Sequence, residues 1–82
     1  MKAKVYVTLK GGVLDPQGKA VMGALRNRGF GEVTDVRIGK FIELEIDGGQ
    51  GEEERGRIRE MCEKLLANTV IEDYRVEMQE EG

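Results

Sequence analysis

Histidine is absent from this 82-residue chain, and cysteine, proline and aromatic residues are scarce. Without histidine the chain lacks the side chain that most often acts as a general base near neutral pH. A single cysteine, Cys62, forms no internal disulfide and cannot build a cysteine–histidine zinc site. We therefore expect no catalytic, cofactor-binding or metal-binding residue in this chain.

Long apolar runs and an excess of basic charge are also missing. The chain carries 13 basic and 16 acidic residues, a net charge of −3, which argues against nucleic-acid binding. No apolar run approaches the roughly 20 residues that span a bilayer. Residues 2–10 alternate too strictly to be a signal peptide. These features predict a cytoplasmic protein that contacts neither nucleic acid nor membrane.

The length predicts one domain over residues 1–82. A chain of this size buries only about 60% of the surface that its unfolded form exposes, so association adds much to its stability. Its 39% hydrophobic and 5% aromatic residues fill one thin core and leave little lining for a deep pocket. We expect the chain to bind partners over a surface.

Hydrophobic periodicity places the first elements. Residues 2–10 alternate, with the apolar side chains at odd positions, which predicts a strand with one buried side. Asp15 followed by Pro16 is typical of a helix start, and Gly29 ends the helix after about Arg28.

The second half of the chain is predicted to contain two strands, a helix and a last strand. Strands are predicted over 32–38 and 41–46, joined by a tight hairpin at Gly39–Lys40. A flexible loop covers 47–51, a helix 52–67 and a last strand 70–78. The helix carries the clearest apolar stripe in the sequence, formed by Ile58, Met61, Cys62, Leu65 and Leu66.

The resulting β-α-β-β-α-β order predicts an α+β, ferredoxin-like two-layer sandwich with both helices on one sheet face. On the opposite, open face the alternation places Tyr6, Phe41 and Ile71. Uncovered apolar residues tend to mark association sites. We therefore predict a homodimer through the open face or through shared strands.

Two further groups of residues each allow two interpretations. Lys4, Lys10, Arg37 and Lys40 contact an anionic partner surface, or they are charges that protect sheet edges from aggregation. In the run from Gly11 to Gly18, the first two glycines let the backbone come close to another group, and Gly18, like Gly23, weakens the helix in which it lies. The run forms a partner contact, or a turn with close helix packing.

Several segments resemble the PurS family. They are Lys4–Lys10, Gly12–Gly18, Val36–Lys40, Cys62–Ala67 and Asn68–Tyr74. The resemblance runs almost from end to end with its spacing intact. PurS proteins often have proline at the positions of Gly11 and Thr69, which are turn positions without a functional group.

The resemblance implies a role that composition alone does not reveal. PurS is one of three components of a split phosphoribosylformylglycinamidine synthase. A PurQ-type glutaminase releases ammonia, and a large PurL-type synthetase uses ATP and Mg²⁺ to convert formylglycinamide ribonucleotide. The resemblance implies a homodimer and leaves open whether two dimers pair into a tetramer. It also implies that PurS-like chains bridge the other two subunits and assist ammonia transfer without a cofactor of their own.

We expect the partner or dimer contacts to come from eleven residues: Lys4, Tyr6, Lys10, Gly12, Asp15, Gln17, Gly18, Arg37, Lys40, Phe41 and Ile71. The alternative function is an ACT-like domain that senses a small molecule, with Gly12 and Asp15 in its site. An acylphosphatase-like enzyme would need an arginine in the first strand–helix loop, whereas the first arginine here is Arg26. An RNA-recognition module would need basic and aromatic residues together on the sheet.

Overall fold

The computed structural model describes residues 1–47 and 52–79 of the chain. The predicted loop at 47–51 therefore lies outside the described residues, apart from Asp47. The elements are β1 (Lys2–Leu9), α1 (Pro16–Asn27), β2 (Gly39–Glu45), α2 (Glu52–Met61) and β3 (Glu72–Gln79). A π-helical turn, Cys62–Leu66, extends α2.

The three strands form an antiparallel sheet in the order β2-β1-β3. Its register aligns Val5 with Ile42 on one side and with Val76 on the other, so the apolar residues of all three strands share one face. We call this the inner face, because Ile58 and Cys62 of the second helix pack there with the buried residues of β1. This arrangement confirms the α+β, ferredoxin-like class.

The predicted strand over 32–38 and the predicted hairpin at Gly39–Lys40 are wrong. Residues 33–38 have no strand pairing in the structure, and Gly39 and Lys40 are the first two residues of β2. The amide of Ile38 instead donates to the carboxylate of Asp15. Alternation indicates an extended segment, but strand formation also requires a neighbouring strand to pair with.

The bounds of α1 agree with the sequence. Asp15 caps its first turn by accepting a hydrogen bond from the Gly18 amide, and Gly29 follows its end with φ +96°. Within the described residues, however, only α2 makes substantial contact with a strand. The expectation that both helices cover one sheet face is thus met by α2 and not by α1.

The second helix changes its pitch at Cys62. The amide of Ala67 donates to the Cys62 carbonyl at 2.8 Å, a five-residue step typical of a π-helix. The extra residue in this turn rotates the predicted apolar stripe. Ile58 and Cys62 are fully buried as predicted, whereas Leu65 points outward and is 83% exposed.

The chain is extended in shape. Its Cα radius of gyration is 16.2 Å and its extents are 49 × 30 × 14 Å, whereas a compact domain of this length has a radius of gyration of about 12 Å. The reason is that α1 and the segment after it, residues 16–38, project away from the sheet. We call residues 16–38 the arm.

Candidate functional site

A buried carboxylate stands at the root of the arm. Asp15 Oδ1 accepts a hydrogen bond from the Gly18 amide at 2.9 Å, and its Oδ2 accepts one from the Ile38 amide at 2.9 Å. The Nε atom of Arg37 lies 4.0 Å from the same Oδ2. Asp15 thereby holds the first turn of α1 beside the start of β2. We call Asp15, Arg37 and the backbone groups that they bind the junction.

Arg37 extends the junction to the end of β1. Its Nη2 donates to the carbonyl oxygen of Leu9 and, at 3.1 Å, to that of Lys10. The amide of Lys10 donates in turn to the carbonyl of Ile71 just before β3. The junction therefore joins both ends of the arm to all three strands, and it brings together four of the predicted site residues.

The junction keeps Asp15 ionised. The hydrogen bonds from Ile38 and then from Gly18 lower the pKa of Asp15 from its ordinary value of 3.8. Burial opposes that shift, and the charge of Arg37 reinforces it. Because both carboxylate oxygens already accept backbone hydrogen bonds, Asp15 is not free to anchor an amino-acid ligand. This geometry gives no support to the ACT-like alternative.

The glycines of the Gly12–Gly18 run serve the same junction. Gly18 is buried, and a Cβ atom there would press on the Val36 carbonyl and lie 2.7 Å from Asp15 Oδ2. Gly12 has φ +86°, a conformation that glycine adopts without strain. The interpretation as a turn with close helix packing therefore holds for these two positions. Gln17, by contrast, is exposed on the first turn of α1.

The uncovered sheet face, which we call the outer face, carries the two aromatic residues predicted there. The rings of Tyr6 and Phe41 are adjacent on β1 and β2, with centroids 5.1 Å apart and planes inclined by 34°. The guanidinium carbon of Arg75 on β3 lies 4.2 Å from the centroid of the Tyr6 ring. Sequence reasoning missed Arg75, although its position in the alternation of β3 places it on this face.

The outer face is more polar than predicted. We call Tyr6, Phe41 and Arg75 the aromatic row. The register places Lys4 of β1 between Glu43 of β2 and Glu77 of β3, so a row of alternating charges lies next to the aromatic row. The third predicted apolar member, Ile71, precedes β3 and is 40% exposed in a turn. The prediction that Ile71 lies on the last strand and faces outward with Tyr6 and Phe41 is therefore wrong, because β3 begins only at Glu72.

Lys40 belongs neither to the junction nor to the group of residues on the outer face. It shares the side of β2 that carries Ile42, and its Nζ lies 3.8 Å from Oε2 of Glu72 on β3. This pair crosses β1 near the end of the inner face. The candidate residues thus separate into the junction at one end of the sheet and the aromatic row with Lys4 on the outer face.

Neither cluster has the features of a reaction centre. Burial, and secondarily the charge of Glu63, raises the pKa of the Cys62 thiol, so this cysteine is a packing residue. Residues 1–47 and 52–79 contain no group of three or more side chains suited to hold a metal ion. Over the same ranges, no helix is long and apolar enough to cross a membrane.

The chain is a small three-stranded α+β, ferredoxin-like domain with a projecting arm, the junction at one end of its sheet and aromatic residues on its outer face. Comparison with known proteins identifies its family. The PurS family, described as phosphoribosylformylglycinamidine (FGAM) synthase, matches residues 2–80, and the chain belongs to this family. Its members are subunits of FGAM synthase, a glutamine-hydrolysing, ATP-dependent ligase complex of purine biosynthesis.

Relatives from bacteria and archaea support this assignment. The chain is 58% identical over 79 residues to the FGAM synthase subunit PurS of Bacillus subtilis (strain 168), covering 96% of this chain and 93% of the relative. It is 41% identical over 78 residues to PurS of Methanocaldococcus jannaschii, covering 95% and 94%. The predicted family is confirmed.

Solved structures agree with the fold. The structure of B. subtilis PurS in its C2 crystal form matches with a TM-score of 0.85 at 58% identity, covering 96% of this chain and 98% of that chain. A chain in the structure of PurLQS from Thermotoga maritima matches with a TM-score of 0.85 at 33% identity, covering 93% of both chains.

Proposed function

We propose that the chain is a homodimeric, non-catalytic subunit that bridges the PurQ-type glutaminase and the PurL-type synthetase of FGAM synthase and assists ammonia transfer between them. The PurL-type subunit then binds ATP and Mg²⁺, and the complex works in the cytoplasm. The observation that carries this proposal is the extended, 49 Å long body, whose aromatic outer face and projecting arm lie in different parts of the molecule.

A bridging subunit needs at least two surfaces that bind at the same time. The outer face offers the first, because Tyr6, Phe41 and Arg75 are of the types enriched at interface cores, and charged residues surround them. The arm and the junction lie beyond the end of the sheet and offer a second. The eleven predicted contact residues remain proposals in these roles.

Ammonia transfer explains why a subunit without chemistry of its own is required. Ammonia that escapes into water is protonated and diluted, so the path between glutaminase and synthetase must exclude solvent. A thin subunit that seals this path against water can support ammonia transfer through its shape alone. The charged outer face can seal against a protein partner through hydrogen bonds without a reactive group at the path.

Reconstitution tests the proposal. The PurL-type and PurQ-type subunits are mixed with and without this chain, and FGAM formation is measured with glutamine or with ammonium chloride as the nitrogen source. We expect the glutamine-dependent rate to require this chain and the ammonium-dependent rate to be much less sensitive to it. Equal glutamine-dependent rates with and without the chain would contradict the bridging role. Turnover by this chain alone would contradict its non-catalytic nature.

A further inference from the structure

The second helix has two flanks of opposite character. Ile58 is fully buried against the sheet. With 3.6 residues per turn, Arg55 and Arg59 therefore share one flank of α2, and Glu54 and Met61 share the other. The structure agrees, because Glu54 and Met61 line a groove beside the end of β2, whereas the two arginines line a groove beside β3. We call the groove beside β3 the basic groove.

The basic groove combines two cations with an apolar floor. It has a volume of about 290 Å³, and its lining residues are Arg55, Arg59, Tyr74, Val76 and Met78. The three residues of β3 alternate along the strand and are half-buried on its inner face. No carboxylate is among the lining residues. The volume is close to the lower end of the range of small-molecule sites, which begins at about 300 Å³.

The two arginines of the groove are available to a ligand. None of the ion pairs formed within residues 1–47 and 52–79 includes Arg55 or Arg59. Another cation of the same region, Lys64, does have a partner, since its Nζ lies 2.7 Å from Oε1 of Glu60. A guanidinium group stays charged at neutral pH and carries five N–H donors. The donors of both arginines can therefore bind an anion that enters the groove.

The spacing of the two arginines has a local cost. Arg55 and Arg59 are four residues apart on one helix flank, and like charges at this spacing destabilise a helix. Sequences break such local rules mainly where another contact compensates. An anion bound between the two guanidinium groups would attract both and offset their repulsion.

The hydroxyl group of Tyr74 adds a third donor. Burial, followed by the charge of Glu63, raises the pKa of Tyr74, whereas the charge of Arg59 lowers it. The net rise keeps the phenol protonated at neutral pH, so its O–H group can donate a hydrogen bond. Glu63 itself does not line the groove. Its charge disfavours a second anionic group near Tyr74, which favours a ligand with a single anionic group.

We propose that the basic groove binds the phosphate group of a small phosphate monoester, with Arg55 and Arg59 holding the phosphate oxygens and Tyr74 donating to the same group. A phosphate monoester carries a charge of about −1.5 to −2 at pH 7 and three acceptor oxygens, which matches two guanidinium groups. A carboxylate offers only one charge and two oxygens. The apolar side chains of Val76 and Met78 then pack against the organic part of the ligand.

This inference is independent of the bridging role. None of the five lining residues is among the eleven predicted contact residues. A ligand that bridges α2 and β3 binds only the folded chain, so it should stabilise the fold in proportion to its occupancy.

Titration of the isotope-labelled chain, followed by two-dimensional NMR at constant ionic strength, tests the site. The probes are inorganic phosphate, phenyl phosphate, acetate and phenol. We expect saturable shifts of α2 and β3 amides, with phenyl phosphate binding more tightly than phosphate, and acetate and phenol binding more weakly than either. Arg55→Gln and Arg59→Gln should each weaken phenyl phosphate binding by about tenfold or more, because each removes a charged hydrogen-bond donor. Tyr74→Phe should weaken it by a smaller factor.

Arg57→Gln is the matched control, because it removes the same charge from the same helix on the other flank. It should leave binding unchanged. Circular dichroism melts check that each variant folds, and phenyl phosphate should raise the melting temperature of the unaltered chain and of Arg57→Gln but not that of the double variant Arg55→Gln, Arg59→Gln. Equal affinities for phosphate and phenyl phosphate would assign the groove to free phosphate and contradict the role of the apolar floor.

Two results would overturn the site and leave the bridging role untouched. The first is equal weakening by Arg57→Gln and by the groove variants. The second is a set of shifts that sodium chloride at the same ionic strength reproduces, because these would come from charge screening alone.

Discussion

Arg37 Nε lies 4.0 Å from Asp15 Oδ2, and this ion pair joins the two ends of an arm that otherwise makes little contact with its own sheet. The same arginine binds the carbonyls of Leu9 and Lys10. The direction in which the arm projects therefore depends on a few polar contacts at its root. Changes at these residues should affect assembly as well as stability.

Acidification should reveal the contribution of Asp15. Its folded-state pKa lies below the ordinary 3.8, so its carboxylate stabilises the fold above that pH, and this contribution is lost as the pH falls through the folded-state value. Asp15→Asn removes the titrating group. We expect thermal melts at pH 7 to show a lower midpoint for Asp15→Asn, and the difference from the unaltered chain to shrink below about pH 4. A difference independent of pH would contradict this role.

Two glycines of α1 should respond in opposite directions to alanine. Gly23 has open space around it, so Gly23→Ala should stabilise the chain by up to about 1 kcal/mol through helix propensity. At Gly18 the added methyl group meets the Val36 carbonyl and the Asp15 carboxylate, so Gly18→Ala should destabilise by about 1–3 kcal/mol. Urea denaturation measures both. Stabilisation by Gly18→Ala would show that Gly18 packs less tightly against Val36 and Asp15 than described.

The thiol of Cys62 should react only when the chain opens. Its side chain is fully buried, and burial raises its pKa, so little reactive thiolate is available. At pH 8 a disulfide reagent should label the folded chain at least ~100-fold more slowly than the urea-unfolded chain. The matched control is Thr69→Cys in a Cys62→Ala background, because Thr69 is exposed. Rapid labelling of the folded chain would contradict the packing role.

The aromatic row of the outer face should serve the partner subunits. Phe41→Glu adds a negative charge next to Tyr6 and removes apolar contact area, so binding to the PurL-type or PurQ-type subunit should weaken by about tenfold. Phe41→Leu keeps an apolar side chain and should retain most of the binding. Calorimetry measures both affinities, and sedimentation checks that the dimer persists. Loss of the dimer in Phe41→Glu would assign this face to self-association instead.

Local signals in the sequence predicted local structure well. Asp15, Pro16 and Gly29 set the ends of α1, because caps depend on the residues immediately at a helix terminus. Alternation also placed Tyr6 and Phe41 correctly on one face. These features depend on backbone geometry over a few residues.

Long-range features were harder to predict. Residues 33–38 have a strand-like pattern, but no local signal tells whether another strand lies beside them. The π-helical turn at Cys62 depends on how the helix meets the sheet, and it moved Leu65 from the predicted core to the surface. The role of Asp15 in binding Ile38 was likewise hidden, because the two residues meet only in the folded chain.

The body of the chain is 14 Å thick in its shortest dimension, so hardly any atom is far from water until a partner covers the sheet. Folding free energy and assembly free energy are therefore linked, and the melting temperature of the isolated chain should rise with its concentration. In a cell, copies made in excess of their partners would spend more time unfolded and would be degraded sooner. Protein turnover would then keep the amount of this subunit matched to that of the rest of its complex.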